Sequence, residues 1–171
     1  MGSMDTLAVL AEGPPRVVLR SATGDDVAAI VALIAADQLG ATRDGVRDEA
    51  DLAAYTAAFH SIDADPAHLL VVAESGGQAV GTMQLSFLPG LARRGALRAQ
   101  IEAVRVAEPA RGSGLGAAMI GWAIDEASRR GCALVQLTSD KSRTGAHRFY
   151  QRLGFVASHE GMKLALSRPA P

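Results

Sequence analysis

At 171 residues the chain has room for one domain that buries roughly two thirds of the surface its unfolded form would expose. Its 17 basic and 18 acidic residues nearly cancel and are scattered, which argues against a phosphate-backbone footprint, so no nucleic-acid partner is expected. The lone Cys132 excludes an internal disulfide, no Cys/His cluster has zinc spacing, and no apolar run approaches the ~20 residues of a membrane-spanning helix, so a metal-free, soluble, cytoplasmic protein is expected.

Met1, Gly2 and Ser3 ahead of Met4 read as a tag remnant, and residues 1–15 as a whole as a flexible tail before a single domain over 16–171. "RVVLR", Arg16 to Arg20, is a β-branched run that predicts a strand. "SATGDDVAAIVALIAADQLG" then opens on cap-type residues and sets Val27, Ile30, Val31 and Ile34 at helical spacing. A second helical pattern, roughly Asp48 to Ser61, aligns Leu52, Tyr55, Ala58 and Phe59 on a face suited to roofing a pocket. "HLLVVAES" and "AVGTMQLSFL" around a glycine turn predict an antiparallel hairpin, with Gly81, Met83, Leu85 and Phe87 alternating against Thr82, Gln84 and Ser86. Pro89 to Arg98 is an arginine- and glycine-rich loop, and "AQIEAVRVA", Ala99 to Ala107, is another strand.

From Gly114 to Arg130 a proline-free helix carries apolar residues around most of its circumference, which predicts burial, and Gly131 stops it. "CALVQLT" is a short buried strand, and "TGAHRFYQRLGF" a helix with Gly154 as its stop. A last strand is expected near Met162 to Leu166. This order implies an α/β (or α+β) domain with a mixed sheet flanked by helices.

The densest signal is "ARGSGLGAAM", Ala110 to Met119, with three glycines in five positions between a strand and a helix. Glycine costs a helix or strand up to about 1 kcal/mol against alanine, so such a cluster points to a backbone task. The first helical turn has unpaired N–H groups and about half a positive charge, and bare backbone lets a pyrophosphate approach it, with Arg111 as a cationic guard. A nucleotide-hydrolase loop would need a lysine after its glycine, which Gly114 and Gly116 lack, and the dinucleotide fingerprint needs a wider final glycine spacing. A bare tight turn is the remaining structural alternative.

"RGSGLG" resembles the acyl-CoA pyrophosphate loop of the GNAT N-acetyltransferase superfamily. "VLRSATGDDVAAI" is similar to that family's opening strand and helix, and "AHRFYQRLGF" to its late helix and following turn. The resemblance spans most of Arg16 to Leu166 and implies a mostly antiparallel central sheet and acetyl-CoA as cosubstrate. It implies a pyrophosphate cradle of Arg111, Gly112, Ser113, Gly114, Leu115 and Gly116, and strand-like pairing of the pantetheine arm with backbone of Val104 and Val106. Tyr150 falls where many members carry a tyrosine that protonates the CoA thiolate; a packing tyrosine is the alternative. Glu102, in "IEAVRV", resembles the glutamate of the "IEDVVV" strand of glucosamine-phosphate acetyltransferases, where a carboxylate takes the ammonium proton through water; an ordinary surface carboxylate is the alternative. His147, one turn before Tyr150, is either a CoA contact or a solvated side chain. Ser139, Lys141, Ser142 and Arg143 form a loop near the expected adenosine end of CoA or a plain solvated loop. His159 and Glu160 lie in a turn that substrate could reach, and Cys132 reads as core.

The resemblance implies an acetyl-CoA-dependent transferase that acetylates the primary amine of a small molecule by direct attack: an amino acid, aminophosphonate, polyamine or amine-bearing antibiotic or toxin. Acetylation of a protein terminus or lysine, and a non-catalytic acyl-CoA sensor, are the alternatives. A homodimer is expected from an apolar edge strand.

Overall fold

The computed structural model describes residues 5–166 apart from 14, 38–40 and 42. The chain forms two units, Met1–Leu137 and Thr138–Pro171.

The first unit is built on one sheet whose six strands lie in chain order: β1 (Thr6–Ala11), β2 (Val17–Ser21), β3 (His68–Ser75), β4 (Gln78–Leu88), β5 (Arg98–Val106) and β6 (Leu134–Leu137). Neighbours pair antiparallel except β5 and β6, which are parallel, as expected of a strand–helix–strand crossover. Gly76 and Gly77, at φ 57° and 78°, make the two-residue turn that brings Ser75 opposite Gln78. The expectation of a loose tail to Pro15 is corrected over Thr6–Ala11: this stretch pairs with β2 through two register shifts, covering what would otherwise be an exposed edge.

Helices cover both faces. On one, α1 (Val27–Ala35) and α2 (Glu49–Asp63) close a core of Ala22, Val27, Ile30, Val31, Phe59 and Val72. Asp48 caps α2 by accepting the Asp51 N–H. The start of α1 is tied to β2 by a buried ion pair: Arg20 donates to both Asp26 oxygens at 2.7 and 2.8 Å and to Glu74 at 2.6 Å. Burial opposes the charge on Asp26, but the Arg20 guanidinium and the Thr23 N–H hold its carboxyl below the usual carboxylate range. On the other face α4 (Leu115–Arg129) buries Leu115, Met119, Ile120, Trp122, Ala123 and Ala127. It approaches β4 so closely that a Cβ on Gly81 would lie 2.9 Å from the Met119 sulfur. Between β4 and β5, the single turn α3 (Ala92–Gly95) runs left-handed through Arg93 and Arg94, at φ 55° and 60°.

The second unit contains α5 (Thr144–Arg152), stopped by Gly154 at φ 92° with the Phe155 N–H returning to the Tyr150 carbonyl. The strand expected at Met162–Leu166 is not formed: no ladder partner exists for it among the described residues, and Met162, Leu164 and Leu166 are exposed. Alternation marks a segment able to extend, but a strand also needs a neighbour to pair with.

Candidate active site

Strand β5 carries the feature on which the site turns. Gln84 pairs with Glu102 and Thr82 with Arg105, so two steps on β4 are matched by three on β5, and the extra residue is a β-bulge at Ala103–Val104. Ala103 sits there at φ 52°, a strained conformation for a residue with a Cβ. Beyond the bulge the Ala107 N–H turns to Val80 on β4, and strand alternation therefore turns the backbone groups of Val104 and Val106 to the opposite side. On that side β6 pairs only with Arg98–Ile101. The described ladder leaves the second half of β5 open, with Val104 and Val106 facing the gap. Two arginines cover their carbonyls: Arg105 Nη1 donates to Val104 O at 2.8 Å, and Arg111 Nε to Val106 O at 3.1 Å.

The open edge leads directly to the start of α4. Gly112 and Gly114 are left-handed, at φ 77° and 88°, and a Cβ on either would meet nothing within 4 Å, so both present exposed backbone. Gly114 is the N-cap and supplies no capping side chain. The Ser113 hydroxyl donates to Ala110 O at 2.7 Å and accepts loosely from the Leu115 N–H at 3.4 Å. The first intrahelical bond is Ala118 N–H to Gly114 O, which leaves the Gly116 and Ala117 amides outside the helical ladder. Arg111 stands exposed beside a terminus bearing the positive end of a 15-residue helix. Val104, Val106, Arg111, Gly112, Ser113, Gly114, Leu115 and Gly116 thus lie along one continuous path, and its chemistry fits an extended chain ending in a pyrophosphate.

On the α1–α2 face the bulge opens into a cavity of about 100 Å³. Its walls are apolar side chains of α1 and α2, and its polar lining comes from Thr82, Gln84 and Tyr55, whose hydroxyl accepts the Gly45 N–H at 3.1 Å. Ala103 lines it, and Glu102 is exposed opposite Gln84. Arg105, opposite Thr82, faces the same side and pairs with Asp37 at 3.4 Å beyond the end of α1, both side chains being largely buried. Sequence patterning misses this pair and the bulge, because "IEAVRV" reads as an unbroken strand; the one visible signal is the charged Arg105 within it.

In the second unit the Tyr150 ring makes edge contacts with Phe149 and Phe155, at centroid distances of 5.0 and 5.8 Å. The carbonyl of Asp140 accepts from His147 Nε2 at 2.9 Å, which fixes the proton on that nitrogen and ties the ring to its own loop. The loop is ordered by Asp140, whose carboxyl is held below its usual range by the Ser142 hydroxyl and N–H. Cys132, in the first unit, has its thiol pushed up by burial, which suits packing rather than nucleophilic work. No group of metal-ligating side chains occurs among the described residues, and no helix among them is long and apolar enough to cross a membrane.

An open strand edge running into a glycine-rich helix start, beside a bulge and a small cavity, suits an extended ligand with an anionic end, and comparison with known proteins gives the class. The model of the Acetyltransferase (GNAT) family matches residues 32–155: the chain belongs to this family and is an acyltransferase. It is 30% identical over 141 residues to an aminoalkylphosphonate N-acetyltransferase of Salmonella typhimurium, covering 82% of this chain and 86% of the relative. A crystal structure of a Bacillus halodurans C-125 protein named as a transcriptional regulator is 43% identical, with a TM-score of 0.84 over 88% of this chain and 99% of that one. At 20% identity, a Clostridium acetobutylicum structure determined with acetyl-CoA shares the fold, with a TM-score of 0.69 over 87% of this chain and 96% of that one.

Proposed function

We propose that this acyltransferase is an acetyl-CoA-dependent N-acetyltransferase acting on the primary amine of a small molecule. The observation that carries the reading is the open half of β5 running into the left-handed glycines at the head of α4. Acetyl-CoA supplies an acetyl group activated as a thioester, which passes to the amine nitrogen as the C–S bond breaks. Backbone groups of Val104 and Val106 pair with the pantetheine arm, displacing the two arginines that cover their carbonyls. The amides around Gly112 to Gly116, with Arg111, take the pyrophosphate, and His147 contacts the same cosubstrate. Glu102 accepts the ammonium proton through water, and Tyr150 donates a proton to the departing sulfur.

The cavity is small, and Arg105, on the same face of the sheet, pairs with Asp37. A small acceptor is in keeping with that size, and the relative that acetylates aminoalkylphosphonates supports a compound with an amine at one end and an acid at the other. Amino acids come next, ahead of polyamines and amine-bearing antibiotics. Thiol release from acetyl-CoA, measured with a panel of aminoalkylphosphonates, amino acids, polyamines and a peptide amine, tests the reading. Amine-dependent release with the small acids is expected. Release with the peptide alone would overturn the acceptor class, and acetyl-CoA binding without release for any amine of the panel would overturn the small-amine reading.

A further inference from the structure

Val27, Ile30, Val31 and Ile34 share the face of α1 that turns to the core, and the same face lines the cavity of about 100 Å³ beside the β5 bulge. Phe59 of α2 and Leu70 of β3 extend that lining, and Ile34, Tyr55 and Leu70 are only partly buried. Core-type side chains are thus left facing open space in a concave place, as in a ligand pocket rather than a packed interior. The polar capacity of the lining is largely spent. The Thr82 hydroxyl donates to Val71 O at 2.9 Å and the Tyr55 oxygen accepts the Gly45 N–H at 3.1 Å, which leaves little beyond the Gln84 carboxamide for a ligand. Among the described residues no charged side chain lines the cavity. A carboxylate, phosphonate or second ammonium entering it would lose its hydration with nothing to replace it, whereas an alkyl group gains by leaving water.

We propose that the acceptor carries a compact, uncharged aliphatic group next to its primary amine, and that this group occupies the cavity. The inference rests on the small-amine acetyltransferase reading above and narrows it: the reacting nitrogen lies at the bulge, where Ala103 lines the cavity, and any acid group of the acceptor stays outside the apolar wall. Size follows from volume. A dry cavity of about 150 Å³ holds benzene, so one of about 100 Å³ suits a branched group of about four carbons. Among amino acids and aminoalkylphosphonates this describes the leucine-like members, not those resembling glycine, glutamate or lysine.

The test is thiol release from acetyl-CoA with the series glycine, alanine, valine, leucine, phenylalanine, glutamate and lysine, for the wild type, Ala58→Leu and Ile34→Ala. Ala58 is exposed on α2 and lines the cavity, so added bulk there does not disturb the core. In the wild type kcat/KM is expected to climb about a hundredfold or more from glycine to leucine, mostly through KM, and to fall back for glutamate and lysine. Ala58→Leu, which takes up cavity space, should cut the leucine-to-glycine ratio about tenfold or more, and Ile34→Ala, which enlarges the cavity, should move the preference toward phenylalanine. A flat or falling series, glutamate or lysine as good as leucine, or an unchanged ratio in Ala58→Leu would each overturn the proposal. Calorimetric titration of the same acids into the protein with coenzyme A present reads the cavity without turnover. Leucine should bind about tenfold or more tighter than glycine, and equal binding overturns the proposal whether or not transfer occurs. Transfer to no amine, with leucine still preferred in binding, would retire the transferase reading and uphold the ligand assigned to the cavity.

Discussion

Among individual residues, Tyr150 makes the most separable prediction, because its hydroxyl is assigned to chemistry and its ring to packing between Phe149 and Phe155. Tyr150→Phe keeps the ring contacts and removes the donor. Steady-state kinetics should show kcat lower by about two to four orders of magnitude, as for loss of a general acid, with the KM for acetyl-CoA little changed. An unaltered kcat would return Tyr150 to a packing role. Ala103 teaches a different lesson at this scale. A positive φ at an alanine has no sequence marker, whereas positive φ at Gly112 and Gly114 is announced by the residue type. The left-handed turn at the head of α4 is therefore legible in the chain, and the bulge beside the cavity is not.

At the scale of elements, α1 and α4 are each held to the sheet by one device that can be removed. Asp26 is buried against Arg20, and breaking such a pair from one side typically costs about 3–5 kcal/mol. Asp26→Asn is expected to destabilise the first unit by that order in denaturant unfolding. Because the folded pKa of Asp26 lies below the unfolded value near ~3.9, its contribution is complete above that pH and is lost as pH falls through the folded value. The wild-type loss of stability on acidification should be shallower in Asp26→Asn. On the other face, Gly81→Val would force the Met119 sulfur and the Arg105 carbonyl apart, and an overpacking cost of about 1–3 kcal/mol is expected. Most of these elements were readable because their apolar residues follow helix or strand periods, as in Val27, Ile30, Val31 and Ile34. The two misreadings share a cause: whether Thr6–Ala11 or Met162–Leu166 forms a strand depends on a neighbour to pair with, β2 across a short connection in the first case and none among the described residues in the second, which no period within the segment records.

For the molecule as a whole, a net charge of −1 gives no overall attraction to a polyanionic cosubstrate, so binding must come from local field. That field is concentrated where the α4 terminus, the left-handed glycines and Arg111 coincide. If this turn holds the pyrophosphate of acetyl-CoA, titration calorimetry with acetyl-CoA and with acetyl-pantetheine, which lacks the pyrophosphate, isolates its contribution. Gly114→Ala strains the φ of 88° and places a methyl group in the anion's path; it should weaken acetyl-CoA about tenfold or more while leaving acetyl-pantetheine unchanged. A folded Gly114→Ala protein that binds acetyl-CoA as tightly as the wild type would mean that the pyrophosphate lies elsewhere.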